Sequence, residues 1–142
     1  MLGSEGEVRT ISYLGGGRCL AGTNDTGKVF QSSDYGRTWT VAQALGTDRN
    51  VLSLLYIENG LCVAGTAPYG EVWNSWDDGH TWAVGGILGS AAWVFTVVYV
   101  GSNRCLAGVY SGGKIFQSDS YNPYPPLPEE FSFLWKIQIG TL

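Results

Sequence analysis

The sequence is poor in the residues that most enzymes use for proton transfer and metal binding. It contains one histidine, His80, and three cysteines in 142 residues. A Ser-His-Asp triad would rest on that histidine alone, and a multi-histidine metal site is excluded. The cysteines include no close pair such as C-x-x-C. We therefore expect neither a metal nor a cofactor.

Charge is also scarce, and long apolar runs are absent. Charged residues make up 14% of the chain, the formal net charge is −4, and no basic cluster is present. This argues against nucleic acid and anionic membranes as partners. The longest apolar stretch, residues 91–100, is far shorter than the roughly 20 residues that span a bilayer. Because the first ten residues lack a basic and apolar leader, the expected location is cytoplasmic, with secretion as the alternative if a leader has been removed.

What the sequence does contain is a threefold internal repeat. Cys19, Cys62 and Cys105 each open a Cys-x-Ala-Gly segment, and the spacing between successive copies is 43 residues. The repeats cover residues 8–50, 51–93 and 94–142 of one domain. One cysteine per repeat suggests a small buried residue of an inner strand. In the first repeat, turn residues separate four candidate strands: Val8–Leu14, Arg18–Thr23, Gly27–Ser32 and Thr38–Gln43.

Two octets, residues 32–39 (SSDYGRTW) and 75–82 (SWDDGHTW), stand in equivalent places of the first two repeats. Their shared pattern suits a tight turn, because an aspartate can accept bonds from backbone amides, a glycine can take positive φ, and a tryptophan can bury its ring. The residues assigned to this structural role are Ser32, Asp34, Gly36, Thr38, Trp39, Ser75, Asp77, Gly79, Thr81 and Trp82.

The pattern S-x-D-x-G-x-T-W, present twice, resembles the Asp-box, or BNR repeat, of sialidase-like β-propellers. The resemblance implies an all-β fold of four-stranded blades, with each box a structural turn on the face away from the active centre. In the third repeat the pattern is broken, since Ser120, Asn122 and Pro125 replace Asp, Gly and Trp. A proline-rich linker at 123–128 follows, and alternating apolar residues then predict a strand over Phe131–Ile139.

Three blades are too few to close a propeller, since known rings have roughly 4 to 8. The favoured hypothesis is a homodimer that completes a six-bladed ring and removes both open sheet edges. Another oligomer, such as a trimer or an open assembly, is one alternative. The other is that the chain is a piece of a longer propeller.

A ligand is expected on the face opposite the octets, where loops gather around the axis. Aromatic rings beside amide and charged groups there suit a glycan, a peptide or a partner protein, although ordinary turn residues would give the same composition. The candidate ligand-binding residues are Asn24, Asp25, Asp48, Arg49, Tyr69, Trp93 and Tyr110.

The function predicted from these observations is a non-catalytic binding or scaffolding module. The alternative is a glycoside hydrolase of the sialidase-like type with a composite site at the oligomer axis. The resemblance implies that such an enzyme grips its substrate with three arginines, and only Arg49, and at most Arg9, can reach this face. Arg9 also precedes Thr10-Ile11, whereas the sialidase arginine motif has Ile-Pro. We therefore predict no catalytic residue.

Overall fold

The computed structural model describes residues 2, 5–47, 50–89, 92–110, 112–118 and 135–141, and it shows a chain of twelve β-strands. The candidate residues Asp48 and Arg49 and the linker at 123–128 lie outside the described residues. The strands are β1 (Val8–Gly15), β2 (Arg18–Thr23), β3 (Lys28–Ser32), β4 (Thr40–Ala44), β5 (Asn50–Tyr56), β6 (Cys62–Ala67), β7 (Glu71–Ser75), β8 (Ala83–Ile87), β9 (Val94–Gly101), β10 (Arg104–Val109), β11 (Lys114–Ser118) and β12 (Trp135–Thr141).

The strands form three four-stranded antiparallel sheets in simple up-and-down order, β1 to β4, β5 to β8 and β9 to β12. We call them sheets 1, 2 and 3. The prediction of an all-β fold with three four-stranded units is confirmed. The described residues contain no helix that is long and apolar enough to cross a bilayer.

Some strand limits differ from the predicted ones, in one case because of a turn conformation and in another because of strand pairing. Gly27 has φ 59° and ends a turn, so the third strand begins one residue later than predicted. The strand predicted over Phe131–Ile139 is observed as β12, paired with β11 in its own chain, and it runs on to Thr141. The alternation of apolar residues stops at Ile139, but Gly140 and Thr141 still pair with Ile115 and Lys114. Residues 131–134 lie outside the described part.

The sheets stack face to face, and the core consists of the two junctions between them. We call the side of a sheet that is turned toward the preceding sheet its leading face, and the other side its trailing face. The first junction joins the trailing face of sheet 1 (Leu14, Leu20, Val29 and Leu45) to the leading face of sheet 2 (Val51, Cys62, Ala64, Trp73 and Trp82). The second joins Leu61, Val63, Val72 and Leu88 of sheet 2 to Val94, Val97, Cys105, Ala107 and Val109 of sheet 3.

The first strand of each sheet lies innermost, since β5 contacts both β1 and β9. The three strands share an irregularity near their first residues, and β1 and β9 each have a second one near their last residues. Pairing with the second strand shifts register at Arg9, at Leu52 and at Phe95. An extra residue of this kind is a β-bulge, which bends the strand and re-aims a side chain. The innermost strands therefore present an equivalent bulge in all three sheets.

Both octets close the same hydrogen-bonded turn between the third and fourth strands. In sheet 2 the Asp77 carboxylate accepts bonds from the Thr81 amide at 2.8 Å and the Thr81 hydroxyl at 2.6 Å. The Gly79 amide donates to Ser75 Oγ at 2.9 Å, and the Trp82 indole donates to the Gly79 carbonyl at 2.9 Å. Gly79 has φ 85°, a conformation that glycine adopts without strain.

The octet of sheet 1 has the same geometry. Asp34 accepts from the Thr38 amide at 2.9 Å and the Thr38 hydroxyl at 2.6 Å, and Ser32 Oγ accepts from the Gly36 amide at 3.0 Å. Trp39 donates to the Gly36 carbonyl at 2.9 Å. The bonds from the Thr38 hydroxyl and amide, together with Ser32, lower the pKa of Asp34 to about 2. This carboxylate is therefore held in its charged form by the turn itself.

The first prediction concerns the octet carboxylate of sheet 2. Asp77→Ala removes the acceptor for the Thr81 amide and hydroxyl, and we expect a loss of about 1 kcal/mol in unfolding free energy because water only partly replaces these bonds. Chemical denaturation measures the loss. Thr81→Ser is the matched control, since it keeps both donors. An unchanged midpoint for Asp77→Ala would show that the turn does not depend on this carboxylate.

The second prediction is a pH dependence from Asp34. Its pKa in the fold, about 2, lies below the ordinary value of 3.8. A lowered pKa stabilises the fold above the unfolded-state pKa, and this stabilisation is lost as the pH falls through the folded-state value. The stability difference between the native protein and Asp34→Asn should therefore shrink as the pH is lowered from about 5 to about 2. Urea midpoints across that range measure it, and a constant difference contradicts the assignment.

The third prediction concerns two buried thiols. Burial raises the pKa of Cys62 to about 12, with the nearby Asp78 and Asp77 carboxylates acting in the same direction, and burial alone raises the pKa of Cys105 to about 12. Since the thiolate is the reactive form, neither should react with a disulfide reagent at about pH 8 until the protein unfolds. Mass spectrometry of labelled peptides, with and without guanidinium, measures this. Rapid labelling of either thiol in the folded protein contradicts the burial described here.

Candidate ligand-binding face

The ends of the sheets form two distinct faces. Each octet turn is bonded to the first turn of its own sheet, with the Tyr35 amide donating to the Gly17 carbonyl at 2.8 Å and the Asp78 amide to the Gly60 carbonyl at 2.9 Å. We call this end the octet face. The loops after β2, β6 and β10 and the connections between sheets lie at the other end, which we call the opposite face. The bulges of the innermost strands lie toward the opposite face.

Sheet 3 places three exposed aromatic rings together on the opposite face. The ring centroids of Trp93 and Phe95 are 5.8 Å apart, those of Trp93 and Tyr110 6.2 Å, and those of Phe95 and Tyr110 6.0 Å. The exposed fractions are 42%, 47% and 72% in the order Trp93, Phe95, Tyr110. We call these three residues the aromatic cluster. They form the largest described group of exposed rings in mutual contact.

The aromatic cluster rests on a rigid base. Trp93 and Phe95 flank Val94, which is fully buried, so strand alternation turns both rings away from the core. The Tyr110 amide donates to the Trp93 carbonyl at 3.0 Å and fixes the loop after β10 against the start of β9. Val109, before Tyr110, is also buried. The backbone that carries the three rings is therefore anchored by buried neighbours and by this hydrogen bond.

The equivalent positions of sheet 1 carry a polar group. They are Glu7, Arg9 and Asn24, which we call the polar cluster. Glu7 and Arg9 form an ion pair at 3.1 Å, and the Asn24 side chain donates to the Glu7 carboxylate at 3.4 Å. The Asn24 amide also donates to the Glu7 carbonyl at 2.9 Å. The third set, in sheet 2, is Asn50, Leu52 and Ala67.

One backbone frame thus carries three chemistries, aromatic, polar and mixed. A position with a purely structural role keeps similar residues in every sheet, as the Cys-x-Ala-Gly segments do. At the position of Trp93, in contrast, sheet 1 has Glu7 and sheet 2 has Asn50. Such variation on a repeated frame is what ligand-contacting positions on rigid scaffolds show. We infer that this part of the opposite face is the candidate site.

The loops of neighbouring sheets touch on this face. The Asp25 amide donates to the Asn50 side-chain oxygen at 3.1 Å, which links the loop after β2 to the start of β5. Asp25 itself has φ 67°. Glu5 lies nearby, where a bond from the Lys28 ammonium at 2.7 Å and a second from the Thr26 hydroxyl lower its pKa. The face around sheet 1 is therefore rich in fixed carboxylates.

The residues chosen from sequence are only partly brought together. Trp93 and Tyr110 are in one cluster, Asn24 and Asp25 lie in a polar group around Glu7 and Asn50, and Tyr69 is 53% exposed in the equivalent loop of sheet 2. Phe95 was missed because it lies within a strand. Its equivalence to Arg9 at the bulge, and its place two residues after Trp93, are the signals that could have identified it.

The described residues include no group of three His, Cys, Asp or Glu side chains placed to hold a metal ion. A cleft of about 180 Å³ opens on the octet face between sheets 1 and 2, and Arg18, Asp78 and His80 are among its lining residues. Arg18 and Asp78 form an ion pair with each other. This cleft is small and its two charged groups are already engaged, so it is the weaker candidate.

No family model matches this chain, and no curated protein matches it. Among solved structures it is similar to an ancestral GH74 enzyme, with 14% identity over 82% of this chain and a TM-score of 0.67. It is also similar to YCF48 bound to D1 peptide, with 14% identity over 78% of this chain and a TM-score of 0.55. The chain spans 17% of the first structure and 35% of the second. These likenesses show the fold alone, a propeller-like all-β arrangement.

Proposed function

We propose that this protein is a non-catalytic binding module of the Asp-box propeller type, and that its opposite face holds a peptide through the aromatic cluster. The observation that carries the proposal is the contact of three exposed rings, Trp93, Phe95 and Tyr110, on a rigid base. Exposed apolar surface of this kind is unfavourable in water and is usually retained for an interaction. The repeated hydrogen-bonded octets support the Asp-box assignment.

The angles between the rings favour a peptide over a sugar. The ring planes are inclined by 52°, 43° and 79° to one another, so the three rings do not form one flat surface. Inclined rings enclose a small apolar group from several sides. Clustered aromatic rings are the surfaces on which proline-rich extended peptides dock. That the similar YCF48 structure contains a bound D1 peptide is consistent with peptide binding on this fold.

A glycoside hydrolase is the competing function, and the similarity to a GH74 enzyme does not decide between the two because it concerns the fold. Hydrolysis requires two carboxyl groups across the scissile bond, one of them a proton donor. On this face Glu5 has a lowered pKa, owing first to its bond with Lys28, and Glu7 is paired with Arg9. The lowered pKa of Glu5 favours its charged carboxylate over a proton donor, which supports binding as the function.

The fourth prediction tests this function with an array of proline- and aromatic-containing peptides. We expect selected peptides to bind, and we expect Trp93→Ala and Tyr110→Ala to weaken the binding at least about tenfold, because truncating an aromatic anchor removes most of its contact. Titration calorimetry with the selected peptides measures the affinity. Tyr35→Ala is the matched control, since Tyr35 on the octet face is 73% exposed, as Tyr110 is at 72%.

The same protein is applied to a glycan array and to a panel of fluorogenic glycosides. Glycoside turnover that is lost in Asp25→Ala would replace the proposal with the hydrolase. Glycan binding without peptide binding would replace the peptide with a sugar. Failure of every peptide to bind, or binding that survives Trp93→Ala unchanged, contradicts the proposed role of the aromatic cluster.

A further inference from the structure

Among the residues that the structure describes, two apolar sheet faces are left exposed, and the first is the leading face of sheet 1. Val8, Ile11 and Tyr13 are 44%, 65% and 59% exposed. The residue equivalent to Val8 in sheet 2, Val51, is fully buried, and so is Val94 in sheet 3. The leading face is therefore built alike in all three sheets and is covered in two of them.

The second uncovered surface is the trailing face of sheet 3. Val98 and Val100 are 46% and 51% exposed, whereas Leu14, the sheet 1 equivalent of Val100, is 6% exposed. Leu20 and Val63 of sheets 1 and 2 are buried, but their equivalent Leu106 is only partly so. The trailing face is thus exposed in sheet 3, whereas the same face is buried in sheets 1 and 2.

The chain itself shows what fits between a trailing and a leading face. A side chain at Gly22 would come within 2.6 Å of Val51, and one at Gly65 within 2.6 Å of Val94, so each glycine is a notch that receives the first valine of the next sheet. At the third notch, Gly108, the described residue within contact distance of an added side chain is Thr96 of its own sheet. Val8 is the valine of sheet 1 that corresponds to Val51 and Val94, and it is exposed. Among the described residues, the Gly108 notch and Val8 are therefore complementary surfaces without an observed partner.

The polar contacts of the first junction are not repeated at the second, where the buried Ser53 hydroxyl has no described partner, but the uncovered faces carry the same donor and acceptor. At the first junction the Leu54 and Tyr56 amides donate to Thr10 Oγ1 and Ser12 Oγ, each at 3.2 Å. The hydroxyl of Thr10 recurs as Ser53 and as Thr96, the latter exposed on sheet 3. The residue equivalent to Leu54 in sheet 1 is Ile11. A junction between sheet 3 and a further sheet 1 would therefore pair the Ile11 amide with the Thr96 hydroxyl.

We propose that a second copy of this chain docks its sheet 1 on sheet 3 of the first, and that the reverse contact closes a six-bladed ring. Closed rings of known propellers have roughly 4 to 8 blades, and six is the multiple of three in that range. The contact is heterologous, leading face on trailing face, and it closes after two copies. Val8 of each copy enters the Gly108 notch of the other. This inference stands independently of the ligand proposed above.

The ring would also complete the candidate site. Within the chain, the loop after β2 touches the start of the next sheet through Asp25 and Asn50. The equivalent contact across the new junction brings the loop that carries Tyr110 to Glu7 of the second copy. The aromatic cluster of one copy then adjoins the polar cluster of the other, at two places in the ring. The completed face would bind a ligand that carries a charged group beside an apolar side chain. Neither copy alone places its two clusters side by side.

The fifth prediction is that the 142-residue chain has twice its own mass of 15.3 kDa in solution, as measured by light scattering after size exclusion. Val8→Lys and Gly108→Asp should each give monomers, because each places a charge in the apolar junction. A one-to-one mixture of the two variants should recover the dimer. One of its junctions is then native on both sides, and the other brings opposite charges together.

Val41→Lys is the matched control, since Val41 is 52% exposed on an outer strand and its equivalent Val84 is 47% exposed in a sheet that is covered on both faces. It should remain dimeric. A monodisperse native monomer, a larger or heterogeneous assembly, a dimer that survives Val8→Lys, or a mixture that stays monomeric overturns the proposal.

Thiol labelling gives a second readout that needs no substitution. Cys19 is half-buried on the leading face of sheet 1, and its equivalent in sheet 2, Cys62, is buried. In the ring Cys19 should become as protected as Cys62, and dilution that dissociates the dimer should speed its labelling by about tenfold or more. Rapid Cys19 labelling that is independent of protein concentration counts against the second copy.

Discussion

Each sheet of this protein is apolar on both faces, and that constraint governs the rest of the structure. A sheet with two apolar faces cannot satisfy itself in water, because burial of such surface stabilises by about 25 cal/mol per Å² and one sheet alone buries neither face. Sheet 2 meets the constraint through neighbours on both sides, with Val51 and Val63 both fully buried. The stacking of the sheets is therefore the source of the core.

The octets serve this stacking. Ser75, Asp77 and Thr81 use their polar atoms on one another and on the turn backbone. Trp82, at the end of the octet, is buried in the first junction, where its amide and carbonyl both bond to the Gln43 side chain at 2.9 and 3.1 Å. The turn thus delivers a tryptophan to the preceding sheet. The ligand contacts proposed above lie instead at positions whose residues differ from one repeat to the next.

The repeat made the fold predictable, because a period of 43 residues and its turn residues define strands without reference to distant contacts. Strand ends such as Lys28 and Thr141 were less predictable, since they depend on local φ values and on pairing. The site was predicted in part. Trp93 and Tyr110 lie in loops, where ligand residues are usually sought, whereas Phe95 and Arg9 lie at bulges of inner strands. A bulge depends on strand pairing, which the residues at that point do not reveal.

The most direct test of the account is the hydrogen exchange of two equivalent amides, measured by NMR. The Leu54 amide donates to the Thr10 hydroxyl of the preceding sheet, and the Ile11 amide is its equivalent on the uncovered leading face. If every sheet must be covered on both faces, the Ile11 amide should meet the Thr96 hydroxyl of a further sheet and be protected as strongly as the Leu54 amide. Exchange of the Ile11 amide at the rate of an unstructured chain, beside protection of the Leu54 amide, would contradict the account.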